Sequence, residues 1–130
     1  KMDIEGHETQ VFEGGLEYFK NNNKGETNIL LEVHPQFYGK DNNFARILTE
    51  YFKIGFKPKF VITTPVGQPK LFKEKGYEPF QQIHTDGVVR GIYDNISPED
   101  LIEFACKENI EDSGRKISKK IVRSFMISRD

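Results

Sequence analysis

The chain has 130 residues, enough for one domain with a single core, and 36% of them are hydrophobic, including 11 Phe and 5 Tyr. Its net charge of −1 disfavours nucleic acids and anionic membranes as partners, and no apolar run reaches the roughly 20 residues of a membrane helix. The one cysteine, Cys106, excludes an internal disulfide framework and is most simply a core thiol, so we expect a reducing compartment, the cytoplasm.

The first half of the chain predicts alternating strands and helices. Residues 1–4 (KMDI), 28–34 (NILLEVH) and 58–64 (PKFVITT) are typical of strands. Residues 8–21 and 42–54 place apolar side chains at helical spacing. Short connections between such elements favour parallel pairing, so we predict an α/β fold with a mostly parallel sheet and flanking helices. For the 58–64 strand, an antiparallel position at the sheet edge is the alternative.

The second half predicts fewer regular elements. Residues 65–87 mix Pro, Gly, Lys and aromatic residues without a period, which predicts a long excursion with one helical turn. The remaining predictions are a short strand at 88–96, a helix at 97–109 introduced by a Ser-Pro pair, a polar loop around 109–118 and a closing strand at 119–129. The basic run at 115–123 indicates a solvated face.

Charged residues follow the first two predicted strands. Side chains two positions apart share a face of a strand, so Asp3 pairs with Glu5 and Glu32 pairs with His34. Ligands of parallel sheets bind beyond the carboxyl ends of the strands, and we expect these four side chains to converge there. Such a group could bind a cation, coordinate a divalent metal through oxygen, or accept a proton from a substrate.

These residues also have simpler structural interpretations. The helix macrodipole alone favours Glu8 at a helix start, and capping is a weaker alternative for Asp3. His7 is expected at the surface, and His34 could serve only to hydrogen-bond a neighbouring loop. Glu32 is harder to explain structurally, because burying a carboxylate within ILLEVH is costly without a partner.

The segments KMDIEGHETQVFEGGLEYF and NILLEVHP together resemble the second half of an FkbM-type, S-adenosylmethionine-dependent methyltransferase. That family has a strand reading Lys-(Ile/Met)-Asp-(Val/Ile)-Glu-Gly-(His/Ala)-Glu, a helix with Val-(Leu/Phe)-x-Gly, and a strand ending Glu-(Val/Leu)-His. The resemblance spans about residues 1–60, and its specific matches are Lys1, Asp3, Glu5, Gly6, Glu8, Gly14, Glu32 and His34.

The resemblance implies the C-terminal half of a class I (Rossmann-like) fold, in which KMDIEG is the fourth strand of a mostly parallel sheet. In the family, the preceding strands carry a glycine-rich turn that holds the cofactor, and no such turn occurs near Lys1. Residues 1–130 are therefore interpreted as a single partial domain without its N-terminal cofactor-binding half. We expect this fragment alone to bind S-adenosylmethionine weakly or not at all and to be inactive.

The function implied by the resemblance is O-methylation of a small molecule such as a sugar or a polyketide. Asp3 and His34 are the implied catalytic residues, with Asp3 also contacting the cofactor, while Glu5 and Glu32 bind the substrate. No metal is assigned, although an oxygen-rich site at Asp3, Glu5 and Glu32 stays open. Two alternatives remain: a non-catalytic binding module that forms a homodimer through an exposed sheet edge, and a metal-dependent hydrolase using Asp3, Glu5, His7 and His34.

Overall fold

A computed structural model describes residues 1–64, 66–85, 87–114 and 117–130, which form a five-stranded sheet, a two-stranded hairpin and four α-helices. In chain order the elements are α1 (Glu8–Asn21), β1 (Thr27–Glu32), a 3₁₀ helix (Pro35–Phe37), α2 (Phe44–Lys53), β2 (Lys57–Thr63), α3 (Lys70–Glu74), β3 (Gln81–Thr85), β4 (Val88–Tyr93), α4 (Pro98–Ala105), β5 (Glu111–Asp112), β6 (Ile117–Ser118) and β7 (Val122–Arg129). Within these ranges, every helix is too short or too polar to cross a bilayer.

The sheet is mostly antiparallel, which corrects the predicted mostly parallel, Rossmann-like arrangement. Its strand order is β1-β7-β2-β4-β3, and each neighbouring pair is antiparallel. β1 and β2 share a direction but are separated by β7, so β2 lies inside the sheet and not at its edge. A helical crossover makes two consecutive strands point the same way, but it does not prevent a later strand from inserting between them. Here β7, the last strand, inserts between β1 and β2.

The chain start lies beside β1 as a single bridge and not as a full strand. Met2 pairs in parallel with Leu31, the Met2 N–H donates to the Leu30 carbonyl at 2.8 Å, and the Glu32 N–H donates to the Met2 carbonyl at 3.0 Å. This bridge brings Asp3 next to the end of β1.

The predicted helices are the elements that agree best with the structure. The helix at 8–21 is confirmed, and α2 and α4 lie within their predicted ranges. α3 supplies the helical turn predicted within 65–87, but β3 in that region and the β5–β6 hairpin in the predicted polar loop were missed. The described residues do not include Pro65, Asp86, Arg115 and Lys116. The first two residues of the predicted basic face at 115–123 are therefore outside the described part of the chain.

An aromatic layer joins the helices to one face of the sheet. The Phe12 ring lies 5.2 Å from Phe44 and 4.6 Å from Tyr51, and the Tyr51 hydroxyl donates to the Phe12 carbonyl at 2.8 Å. Phe44 stacks on Phe125 of β7, which connects α2 to the centre of the sheet. Cys106, just after α4, is a buried core thiol as predicted, and burial raises its pKa to about 12.

The strands turn a second set of apolar side chains away from this core, as alternation along a strand requires. Leu30, Phe60, Ile62, Ile92 and Met126 belong to this second set and, with Phe80 just before β3, line an open groove of about 310 Å³, which the core residue Phe125 also borders. Phe60 and Phe80 remain 37% and 53% exposed. We call this surface the apolar groove.

A polar contact fixes the start of α4 against the end of α3. Asp100, in the first turn of α4, accepts hydrogen bonds from the Lys75 ammonium at 2.6 Å and the Tyr77 hydroxyl at 2.5 Å. The Ser97 hydroxyl caps the helix by accepting from the Asp100 N–H. Burial acts to raise the pKa of Asp100, but hydrogen bonds from Lys75, Tyr77 and Ser97 outweigh it and the pKa is lowered.

We expect Asp100→Asn to lower the free energy of unfolding at pH 7 by about 1–3 kcal/mol, as for a hydrogen-bonded charged group. Because the pKa of Asp100 is lower in the folded state, its contribution is present above the unfolded value of about 4 and is lost as pH falls through the folded pKa. Urea unfolding at a series of decreasing pH values should therefore show a smaller and smaller difference in the free energy of unfolding between the variant and the wild type. Glu99→Gln, exposed in the same helical turn, controls for the macrodipole and should cost well under about 1 kcal/mol. A gap that stays constant with pH would contradict the assignment.

Candidate functional site

The structure brings together three of the four predicted site residues. Asp3, Glu32 and His34 each present one oxygen or nitrogen atom within 4.8 Å of the other two. Glu5 is not part of this set and lies exposed in a turn with φ of +40°. His7 is exposed as predicted, with its Nδ1 3.3 Å from the Ile4 carbonyl oxygen. We refer to Asp3, Glu32 and His34 as the ligand cluster.

His34 is the buried member of the ligand cluster, with 8% of its surface exposed. Its Nδ1 lies 2.7 Å from Glu8 Oε1, and its Nε2 lies 3.8 Å from Asp3 Oδ1. An ionised carboxylate can only accept hydrogen bonds, so we assign the imidazole hydrogen to Nδ1. In the neutral form of the imidazole, the lone pair is then on Nε2, the nitrogen on the side of Asp3.

Glu8 positions His34 from inside the protein. It is fully buried in the first turn of α1, and its Oε1 also accepts a hydrogen bond from the Gly6 N–H at 3.2 Å. Its Oε2 has no hydrogen-bond partner among the described residues, so the imidazole is the main polar group offsetting the cost of burying this charge. Burial raises the pKa of nearby Tyr38 far above its ordinary value, and the charge of Glu8 adds to that effect, so Tyr38 stays a neutral phenol.

The turn between Asp3 and Glu8 requires glycine. Gly6 has φ of +93°, and a Cβ there would lie 2.9 Å from the Phe37 ring. The Asn42 side-chain amide donates to the carbonyls of Gly6 at 3.0 Å and Phe37 at 2.8 Å. This packing fixes the backbone between the two carboxylates that face His34.

Glu32 has cationic partners that sequence reasoning missed. Its Oε1 lies 3.8 Å from Lys120 Nζ and 3.9 Å from Arg123 Nε, and the Lys120 ammonium also donates to the Val33 carbonyl at 3.1 Å. Burial lowers the pKa of Lys120, while the charge of Glu32 acts to raise it. Lys120 is therefore half-buried against the ligand cluster and does not belong to a solvated face, which corrects the prediction for the basic run at this residue.

The arrangement combines an imidazole with two carboxylates at an accessible surface. The Asp3 side chain is 51% exposed, so molecules in solution can reach the Nε2 side of His34 past it. A lone pair in this position can accept a proton or bind a metal ion, and the carboxylates stabilise positive charge beside it.

Comparisons of the chain with family models, curated proteins and solved structures found no match. The resemblance to FkbM-type methyltransferases stays a prediction from the sequence. Four of its matched positions, Asp3, Glu8, Glu32 and His34, meet at this site. Glu8 was interpreted from its helix position alone, although its place in the matched pattern was the available signal for a role beside His34.

We expect Glu8→Ala to lower the free energy of unfolding by about 2–4 kcal/mol, because it leaves a cavity and removes the hydrogen-bond acceptor of buried His34. Glu17→Ala on the exposed side of α1 is the control and should cost less than about 1 kcal/mol. Chemical denaturation measures both values.

In ¹⁵N NMR spectra, wild-type His34 should show the Nδ1–H tautomer; a dominant Nε2–H tautomer would show that our assignment of the lone pair is wrong.

Proposed function

We propose that this chain is part of an S-adenosylmethionine-dependent methyltransferase that methylates a hydroxyl oxygen of a small molecule such as a sugar or a polyketide. The supporting observation is the orientation of His34, whose Nδ1 is held by buried Glu8 while Nε2 faces half-exposed Asp3. A hydroxyl nucleophile needs a base to accept its proton as the new bond forms. The Nε2 lone pair supplies that base.

S-adenosylmethionine, when bound, supplies a methyl group that its sulfonium makes electrophilic. Among the described residues, Asp3 is the cofactor contact that we propose, because an exposed carboxylate accepts hydrogen bonds from hydroxyl and ammonium groups. The Asp3 carboxylate can supply one contact to the cofactor. A single carboxylate does not form a pocket for a molecule of this size.

The residues of this chain act on the acceptor side of the reaction. With the cofactor supplying the methyl group and leaving as the neutral thioether, the part of this chain would be to accept the hydroxyl proton of the acceptor at His34 Nε2. The resulting imidazolium lies between the carboxylates of Glu8 and Asp3, which stabilise its charge. Glu32 and Glu5 accept hydrogen bonds from other hydroxyls of the acceptor in this proposal.

The two alternative functions have different support. A metal-dependent hydrolase built on Asp3, Glu5, His7 and His34 fits less well, because Glu5 and His7 lie outside the ligand cluster. A non-catalytic binding or homodimerisation module is favoured by the apolar groove, which exposes large hydrophobic side chains. In that case, the protein would transfer no tritiated methyl to any acceptor in the assay below.

We also propose a cytoplasmic location, because the one cysteine is a buried, unpaired thiol that suits a reducing compartment. Cell fractionation that placed the protein in an oxidising compartment would contradict this.

The function is tested by transfer of tritiated methyl from S-adenosylmethionine in the natural protein that carries this chain, with methyl glycosides and hydroxylated macrolides as acceptors. Asp3→Asn and His34→Gln should each lower turnover by roughly 10²–10⁴-fold, the usual contribution of a general base and its partner. His34 is buried, so His34→Gln will also lower stability, and turnover is normalised to the folded fraction. Glu32→Gln should lower both activity and stability, whereas His7→Gln, at an exposed histidine outside the ligand cluster, should change neither.

Full turnover in Asp3→Asn and His34→Gln would mean that the proposed base is wrong. No methyl transfer from the wild-type protein to any hydroxyl acceptor in the panel would reject the methyltransferase proposal itself.

The 130-residue chain by itself should bind S-adenosylmethionine more weakly than a low-micromolar dissociation constant. A cofactor of this size needs a pre-formed pocket, and no glycine-rich turn of the family type occurs near Lys1. Isothermal titration calorimetry measures the affinity. Any weak binding should be lost in Asp3→Asn and kept in Glu5→Gln, and a low-micromolar value for the wild type would refute the expectation.

A further inference from the structure

We infer that the ligand cluster of Asp3, Glu32 and His34 binds one divalent transition-metal ion, with Zn²⁺ and Mn²⁺ as matching ions. The inference goes beyond the proposed function, because such a site would take up the ion whether or not the protein transfers methyl groups. Two observations support it: the spacing of the three ligand atoms, and the partners of the two ring nitrogens of His34.

The spacing of the three ligand atoms is close to that of a metal centre. Three atoms within 4.8 Å of one another always fit in a circle of radius about 2.8 Å, whereas zinc bonds to nitrogen and carboxylate oxygen measure about 2.0–2.2 Å. Each ligand atom therefore has to move inward by less than about 1 Å. The Asp3 side chain is half-exposed and can rotate toward the other two without leaving a packed position.

The environment of His34 independently indicates a metal-binding histidine. Nine-tenths of its side chain is buried, and its Nδ1 is engaged by Glu8 at 2.7 Å. Its Nε2 makes no hydrogen bond to any described residue and faces Asp3 Oδ1 across 3.8 Å, too far for a hydrogen bond. Metal-binding histidines characteristically donate their other ring N–H to a carboxylate, which fixes the tautomer and raises the basicity of the ligating nitrogen. Glu8 plays that part here and lies outside the ligand cluster.

The donor set selects the class of ion. One imidazole and two carboxylates favour Zn²⁺ or Mn²⁺ over Ca²⁺, which prefers six to eight oxygen ligands. Three protein ligands leave coordination positions for water or for a hydroxyl of a small molecule. With the ion bound, Nε2 is a ligand and no longer a base, and the ion itself lowers the pKa of a coordinated hydroxyl. Nε2 therefore cannot fill both roles at the same moment: it is the base in the metal-free protein and a ligand once the ion is bound.

Lys120 competes with the ion for Glu32, because its ammonium lies 3.8 Å from Glu32 Oε1, and Arg123 Nε lies 3.9 Å from the same oxygen. An ion in the ligand cluster must draw Glu32 away from these cations. Lys120→Gln removes one competing charge and should tighten ion binding several-fold. Lys119→Gln, at the exposed neighbouring position that faces Glu108, should leave the affinity unchanged.

The experiment is calorimetric titration of the untagged 130-residue chain with ZnCl₂ and with MnCl₂ in a non-coordinating buffer. The wild type should bind one ion, and Asp3→Asn and His34→Gln should each weaken binding at least ten-fold. Glu5→Gln and His7→Gln, which alter exposed groups of the same kind outside the ligand cluster, should bind like the wild type. The inference would be overturned if the wild type did not bind the ion at millimolar concentration. It would also be overturned if Asp3→Asn and His34→Gln bound the ion as tightly as the wild type.

A second readout on the wild type covers the case in which His34→Gln fails to fold. In ¹⁵N NMR spectra, Zn²⁺ should shift the Nε2 resonance of His34, and Mn²⁺ should broaden it before that of exposed His84. Equal broadening of both residues would reject the site. Because neither cofactor nor acceptor is present in these titrations, their failure would leave the methyl-transfer proposal to its own assay.

Discussion

The insertion of β7 between β1 and β2 is the constraint on which the rest of the structure depends. β7 pairs antiparallel with both strands, in a register that sets Glu32 opposite Ser124. That register brings Arg123 and Lys120 beside Glu32 at one end of the sheet. It also places Phe125 beneath Phe44, so the same strand organises the polar site and the aromatic core.

The helices could be predicted from sequence because their signals are local. The apolar period of α1 and the Ser97 cap of α4 depend only on neighbouring residues. Strand positions were also largely visible, but strand order was not, because it depends on which distant segments pair. The closing segment was recognised as a strand, yet nothing within it indicates a place between β1 and β2. The error in sheet type follows from that missing long-range information.

The candidate site divides in the same way. Asp3, Glu32 and His34 could be selected because they follow strand-like segments at a spacing of two residues. Their contact depends on the Met2 bridge to β1, which matches the expected adjacency of these segments. Lys120 could not be found, because its contact with Glu32 requires the position of β7, some ninety residues along the chain. For Glu8, the position within the motif can be read from the sequence, but its burial beside His34 cannot.

The apolar groove has a consequence for how the protein behaves in concentrated solution. Its exposed Phe60 and Phe80 offer a hydrophobic surface to other copies, while a net charge of −1 provides almost no long-range repulsion between them. Short-range attraction between grooves therefore dominates the pair potential near neutral pH. Colloidal stability must then come from whatever covers the groove, or from a pH or solvent that raises the charge or weakens the attraction.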